Sequence, residues 1–423
     1  MFGWEFPPFN SGGLGTACFG LTRALQGLGV DVSFVLPRKL GEGTQSVCKV
    51  LFADEENVKT GGIGHLEVTA VNSPLTPYMN AAEYEEQWIL ENGKATTRRI
   101  SIYGKALADE VYRYGLLARS LAKQEVHDVI HAHDWLSFPA GMAAKAVSGK
   151  PLVVHVHSTE FDRTGGHGVN QMVYDIERAG MHAADRVVTV SGFTRDIVVG
   201  KYGISPDKVV VVHNGIDAFD YRTDTPTHAS LASLKKDGSK IVLFVGRITI
   251  QKGPDYFVKM AKRVLAYAPK TYFVVTGSGD MERQMMQEAS FLQMSDRFIF
   301  TGFLRGEALN AVYRAADLYV MPSVSEPFGI VPLESMIQGT PILISRQSGV
   351  SEVVSHALKV DFWDIEEMSN KVVGVLMYDS LHTTLRDNGR AEVDHLTWRR
   401  AAQKCANLYQ TFSLGNGAPA LAY

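Results

Sequence analysis

Short apolar runs and amphipathic stretches alternate along nearly the whole chain. In the first half, β-rich runs fall at residues 30–37, 65–71, 128–133, 151–157, 186–191 and 208–213. Between several of them lie stretches with helical spacing, at 14–28, 105–123, 136–147, 171–182 and 194–202. Runs such as PLVVHV, from Pro151, and KVVVVH, from Lys208, lack the every-second-residue polar break of a half-exposed strand. Strands of that kind sit in a parallel sheet covered on both faces. Strand–helix alternation around such runs predicts a doubly wound α/β domain.

Residues 218–239 interrupt the pattern. They are polar, carry Pro226, Asp237 and Gly238, and show no clear periodicity, so they read as a linker. A second series follows, with strands expected at 241–246, 271–277, 297–301, 318–321 and 340–345. The helix expected over 255–267 puts Phe257, Met260, Ala261, Val264 and Leu265 on one stripe. A last helix is expected over 397–410. The chain therefore reads as α/β, with two Rossmann-like doubly wound domains, 1–217 and 240–392, facing a cleft. The opening MFGWEFPPFN runs straight into a glycine loop. A first strand normally has more apolar residues, so either this one is very short or the natural start lies upstream.

Composition narrows the class. A chain of 423 residues suits two or three domains. Its 45% apolar content is that of a globular protein, and no run approaches the ~18 apolar residues of a membrane helix. A formal net charge of −3 gives no pointer to nucleic acid or an anionic membrane. Cys18, Cys48 and Cys405 are scattered and odd in number, which fits reduced thiols rather than a disulfide framework. No signal peptide opens the chain, and the expected location is cytoplasmic.

The stretch SEPFGIVPLESMIQG, residues 325–339, carries the chemistry. Pro332 fits the first turn of a helix, and Gly339 before Pro341 fits its stop. The amides of Gly329, Ile330 and Val331 would then be unpaired donors at a helix start, suited to a phosphate. Glu334, one turn in, is placed to grip the two hydroxyls of a ribose, and Glu326 to reach what lies beyond the phosphates. A first-turn Glu also commonly just complements the helix dipole, so the stretch alone leaves both readings open. After the strand at 241–246 come Arg247 and Lys252, two cations placed to neutralise a diphosphate leaving group or, equally, two solvated surface charges. The histidine pairs His131/His133 and His155/His157 each share a strand face, but their spacing supplies no third and fourth zinc ligand.

The Glu, seven residues, Glu spacing of Glu326 and Glu334 resembles the signature of retaining glycosyltransferases of the GT-B fold, family 4 in particular. Arg247 and Lys252, with four residues between them, match that family's pattern as well. HAHDW (131–135) and HSTEFDRTGG (157–166) resemble bacterial glycogen and starch synthases. HNGID (213–217), TGSGD (276–280) and FTGFL (300–304) follow in the family's order. The resemblance implies that Gly13, of the Gly12–Gly13 pair, lets the backbone approach the donor phosphates. It implies that His157 contacts the transferred sugar and that Asp134 lies close to the acceptor. It places the nucleotide base near Phe303 and Leu304, and the rest of the donor along Phe328, Gly329, Ile330 and Val331. In the GT-B pattern the last helix returns to pack on the first domain.

The expected activity is retaining transfer of a hexose from a nucleotide-diphospho-sugar, ADP- or UDP-glucose, to a glucan or small sugar. With no Asp-X-Asp motif in the chain, Arg247, Lys252 and helix amides are expected to replace a metal at the diphosphate, and no metal or other cofactor is expected. Two further readings are a sugar-nucleotide 2-epimerase on the same fold and a catalytically silent nucleotide-sugar-binding protein.

Overall fold

The computed structural model describes residues 1–7, 12–37, 48–52, 105–221 and 229–413. Two parallel sheets organise it. Strands β1 (Ser33–Leu36) and β2 (Lys49–Phe52) pair with each other, and β3 (Ile130–His133), β4 (Leu152–Val156), β5 (Arg186–Thr189) and β6 (Val209–Val211) pair in sequence order. The opening residues stitch the two groups together. The Phe2 amide donates to the His131 carbonyl at 2.8 Å, and the His133 amide returns a bond to Phe2 at 2.9 Å. On the other side the Val35 amide donates to Met1 and the Gly3 amide to Val35, at 2.8 and 3.1 Å. These bonds set the opening residues between β1 and β3, at the centre of the sheet.

The second sheet runs in the order β12-β11-β10-β7-β8-β9, all parallel, from β7 (Lys240–Val245), β8 (Thr271–Thr276), β9 (Phe298–Gly302), β10 (Leu318–Met321), β11 (Ile342–Ser345) and β12 (Leu358–Val360). Its inner strands β11, β10, β7 and β8 are buried along nearly their whole length, as the unbroken apolar runs require, while the edge strands β9 and β12 are mostly half-buried. In both sheets the strand order reverses direction once. The reversal falls between residues 1–3 and β3 in the first sheet, and between β7 and β10 in the second. Crevices at such switch points, beyond the carboxyl ends of the strands, are where open α/β sheets bind ligands.

Three elements differ from expectation. β2 and β12 are too short to show a pattern in sequence, and the helix Ala229–Lys236 lies inside the stretch read as a linker. That helix shows one apolar pair, Leu231 and Leu234, which is too little periodicity to stand out. Leu231 nevertheless enters a core cluster with Tyr313 and Val312, and Lys235 pairs with Asp317 at 3.1 Å. The strand expected at 65–71 lies outside the described residues. No described helix is long and apolar enough to cross a membrane.

The last helix, Trp398–Ser413, packs on the helix Gly13–Gln26, with Trp398, Ala402 and Cys405 set against Ala17, Leu21 and Leu25. Gly20 makes that approach work. A Cβ there would lie 2.3 Å from the Trp398 ring, which is itself 5% exposed and has little room to give. Gly20→Ala is therefore expected to destabilise the fold by about 1–3 kcal/mol, the usual cost of overpacking. The check is the urea midpoint; an unchanged midpoint would mean that this helix pair can slide.

Candidate active site

The switch point of the second sheet brings together the residues that follow β7 and β10. After β7, Arg247 leads into a single 3₁₀ turn, Ile250–Lys252, closed by Gly253 at φ +64°. Any side chain at Gly253 would meet the Pro322 carbonyl oxygen at 2.2 Å, so glycine is what lets this turn press against the segment after β10. The Lys252 ammonium then contacts the Glu326 carboxylate directly. Ser323 Oγ donates to the same Glu326 oxygen at 3.3 Å. The Glu326 backbone is held on both sides, its amide by Gln347 and its carbonyl by the Gly349 amide, each at 2.9 Å. Glu326 is 7% exposed, so the ion pair sits within the wall of the cleft. Arg247 lies alongside, with Nη2 donating to Gln251 Oε1 at 3.1 Å.

Beyond Glu326 the chain turns at Gly329, φ +99°, into the helix Val331–Ile337, with Pro332 in its first turn and Gly339 at φ +78° after its end. Start and stop fall where the sequence puts them. Phe328 is buried beside the His213 ring, and Ile330 packs against the core of the first domain. Glu334 accepts from the Tyr313 hydroxyl at 2.9 Å and from Tyr221 at 3.2 Å. Burial raises its pKa, and the two hydroxyls oppose that shift. Phe303 and Leu304 follow β9, two strands from β7, where Phe303 is exposed and the Arg305 guanidinium stacks 4.7 Å over its ring.

The first sheet faces this cluster. Gly13 opens the helix Gly13–Gln26 and is exposed, with nothing within 4 Å of where a Cβ would stand. Asp134 follows β3 at φ +60°, and is buried. One of its oxygens accepts the amides of His157 and Ser158 at 2.7 and 3.3 Å, so it ties the end of β4 to the end of β3. Burial pushes its pKa up to about 7, against the pull of Arg163 and the two amides. His157 is held neutral by burial, its pKa pushed down to about 3. His133 Nδ1 and His157 Nε2 share a hydrogen bond at 3.0 Å.

The histidine pairs, separate in sequence, form one stack because β3 and β4 are neighbours in register, His133 opposite His155. His131 lies on His133 with ring centroids at 4.5 Å, and His155 on His157 at 4.2 Å. Sets of three ligand atoms, His131/His133/His155 and Cys18/His133/His157, fall within 4.8 Å of one another, a proximity that sequence spacing could not reveal. Adjacent rings in the stack lie at interplanar angles of 11–34°.

The two domains touch through the same segments. Ser325 Oγ donates to Asp162 at 2.5 Å, and the short helix Glu160–Arg163 packs on the turn that carries Lys252. Ser191 Oγ donates to the Pro327 carbonyl at 2.6 Å. Glu352 accepts the amides of Gly192 and Phe193 at 2.9 and 2.7 Å and bonds His213 Nε2 at 2.8 Å. Sequence reasoning missed Glu5, and also Asp162 and Glu352, whose partners across the joint are distant in the chain. Only Glu5, just ahead of a glycine loop, left a local trace.

Comparison with known proteins fits this geometry. Residues 11–218 match the family model described as Glycosyltransferase Family 4, and residues 229–392 the one described as Glycosyl transferases group 1. The α-maltose-1-phosphate synthase of Mycolicibacterium smegmatis is 30% identical, over 68% of this chain and 80% of its own. The chain is a family 4 glycosyltransferase. The glycogen synthase of Mycobacterium tuberculosis is 27% identical, over 84% of this chain and 79% of its own. Among solved structures, Anabaena HepE in complex with UDP and glucose superposes with a TM-score of 0.66 at 15% identity, covering 97% of this chain and 99% of that one. The architecture is the GT-B fold, two Rossmann-like domains with the cleft between them.

In this glycosyltransferase Asp134 gives a pH signature. Its folded pKa, about 7, lies above the ordinary 3.8, so the folded state binds the extra proton. Native stability is then expected to fall as pH rises from about 4 to about 7, by roughly 4 kcal/mol at most from ~1.4 kcal/mol per unit. Asn tolerates positive φ and keeps the accepting oxygen, so Asp134→Asn should remove that slope. Melting curves of both proteins at pH 5 and 8 check it: the variant's advantage should grow with pH.

Proposed function

We propose that the chain is a retaining hexosyltransferase that moves glucose from ADP- or UDP-glucose to a glucan or small-sugar acceptor. The observation that carries this reading is the Lys252–Glu326 pair at the β7/β10 switch point, with Arg247 beside it. Lys252 is neutralised by Glu326 here. A diphosphate entering the crevice would draw the ammonium to itself, with Arg247 and the amides near Gly329 and Ile330 adding fixed positive charge. Glu326 would then be released towards the sugar, whose ring gains positive charge in the transition state.

The remaining residues take roles consistent with their places. Glu334, with its two tyrosine hydroxyls, grips the ribose, and Phe303 with Leu304 flanks the base. His157, neutral and positioned by Asp134, offers an imidazole to the sugar. Asp134 acts on the acceptor side through that positioning. As the anomeric carbon leaves the diphosphate, the acceptor oxygen bonds to it on the same face, and the acceptor proton passes to the leaving phosphate oxygen. No metal takes part in this scheme. The relatives named as glycogen and α-maltose-1-phosphate synthases support a glucose donor, and the UDP and glucose in HepE support a nucleotide of this kind.

The test is a donor screen with product analysis, followed by variants under EDTA. Arg247→Ala and Lys252→Ala should each lower turnover by about 10² or more, the scale for losing one transition-state charge donor. Near-normal turnover in both would sink the clamp, and loss of wild-type activity in EDTA, restored by Mg²⁺, would sink the metal-free scheme. The glutamates should separate. Glu334→Gln should chiefly raise donor KM, as lost uniform binding, whereas Glu326→Gln should chiefly depress kcat. The same pattern in both variants, or the reverse one, would overturn these roles.

A further inference from the structure

The first sheet has its own switch point, between the opening segment and β3, and the first acidic side chain after that opening strand is Glu5. It is 2% exposed, yet it makes no ion pair with a neighbour in its own domain among the described contacts. One carboxylate oxygen instead accepts the amides of Gly12 and Gly15, at 2.9 and 3.1 Å. Those are two of the four amides that the start of the helix Gly13–Gln26 leaves without a partner within the helix. The amides of Gly13 and Leu14 lie between the two that Glu5 holds. The loop is fitted closely to the carboxylate, since a Cβ on Gly12 would stand 2.8 Å from it. Glu5 also feels Arg247 of the other domain, whose charge pulls its pKa down against burial. The glycine loop that Glu5 holds is thus within electrostatic reach of the cation after β7.

We propose that Glu5 is a positioning residue for the donor diphosphate, holding the glycine loop in the shape that presents the Gly13 and Leu14 amides opposite Arg247. The inference rests on the donor-binding reading given above. The brace is a hydrogen-bond acceptor, and its negative charge is incidental, even unfavourable, beside a diphosphate. Two substitutions separate these properties. Glu5→Gln keeps a carbonyl oxygen for the two amides and removes the charge, whereas Glu5→Ala removes the acceptor and leaves the loop unheld.

The experiment measures Kd for UDP-glucose and ADP-glucose by calorimetry, then donor KM, acceptor KM and kcat with whichever donor the wild-type chain binds. Glu5→Ala should weaken donor binding by about tenfold, the scale of one to two lost hydrogen bonds. Acceptor KM should stay within about twofold, and Glu5→Gln should bind donor as well as the wild type or better. A purely structural role would lower the melting temperature and degrade both substrates' KM together. That pattern would overturn the proposal, as would unchanged donor binding in Glu5→Ala or a Glu5→Gln variant as weak as Glu5→Ala. If the wild-type chain binds neither donor, the donor-site reading falls and this inference with it. Binding by the wild type with an indifferent Glu5→Ala overturns this inference alone.

Discussion

Parallel strands buried on both faces dictate most of what this protein is. Such a sheet needs helices on each side to cover its apolar runs, and the crossovers that supply them leave no sheet face free for a ligand. What remains open is the edge at the carboxyl ends of the strands, and within it the point where strand order reverses. The chain has two such points, one per sheet, and it places Glu5 and Asp134 after the strands of one and Arg247 and Glu326 after those of the other. A cleft between the two domains is then a consequence of topology rather than an added feature.

The buried carboxylates described around that cleft each have a partner. Lys252 and Glu326 satisfy each other, Glu334 takes two tyrosine hydroxyls, and Glu5 and Asp134 each take two backbone amides. Burial still raises the pKa of Glu5, Glu334 and Asp134, because hydrogen bonds return only part of the lost hydration. An ion pair such as Lys252–Glu326, largely shielded but with the lysine side chain still 19% exposed at the cleft wall, is an interaction that an incoming dianionic group can rearrange. A pair locked in the deep core could not exchange partners without a large desolvation cost.

The joint between domains uses the same short segments as the site. Ser325 reaches Asp162 and Ser191 reaches Pro327, so the residues on both sides of Glu326 are held from the opposite domain. Glu352 caps the start of the helix Gly192–Tyr202 from across the joint, where a carboxylate complements the helix dipole. Any relative motion of the domains must therefore move the loop that carries Glu326, which couples domain closure to the setting of the reacting group.

Sequence alone determined the repeating strand–helix order, most strand positions and the helix that starts at Val331 and stops before Gly339, and its spacings singled out Arg247, Lys252, Glu326 and Glu334 as candidates. These features are local: apolar periodicity, proline and glycine punctuation, and fixed spacings between charged residues. What it missed was either too short for a pattern, as with β2, β12 and the helix Ala229–Lys236, or non-local. The four histidines became one stack only when β3 and β4 paired in register, and Asp134 became a backbone brace only when β4 ended beside it. Glu5 reaches the amides of Gly12 and Gly15 at the start of the following helix, and comes under the charge of Arg247 through the meeting of two domains. Partners 24 to 163 residues apart, such as His133 with His157 or Ser325 with Asp162, leave no mark on a one-dimensional pattern. Their contacts follow from strand order and domain packing, which only the tertiary structure decides.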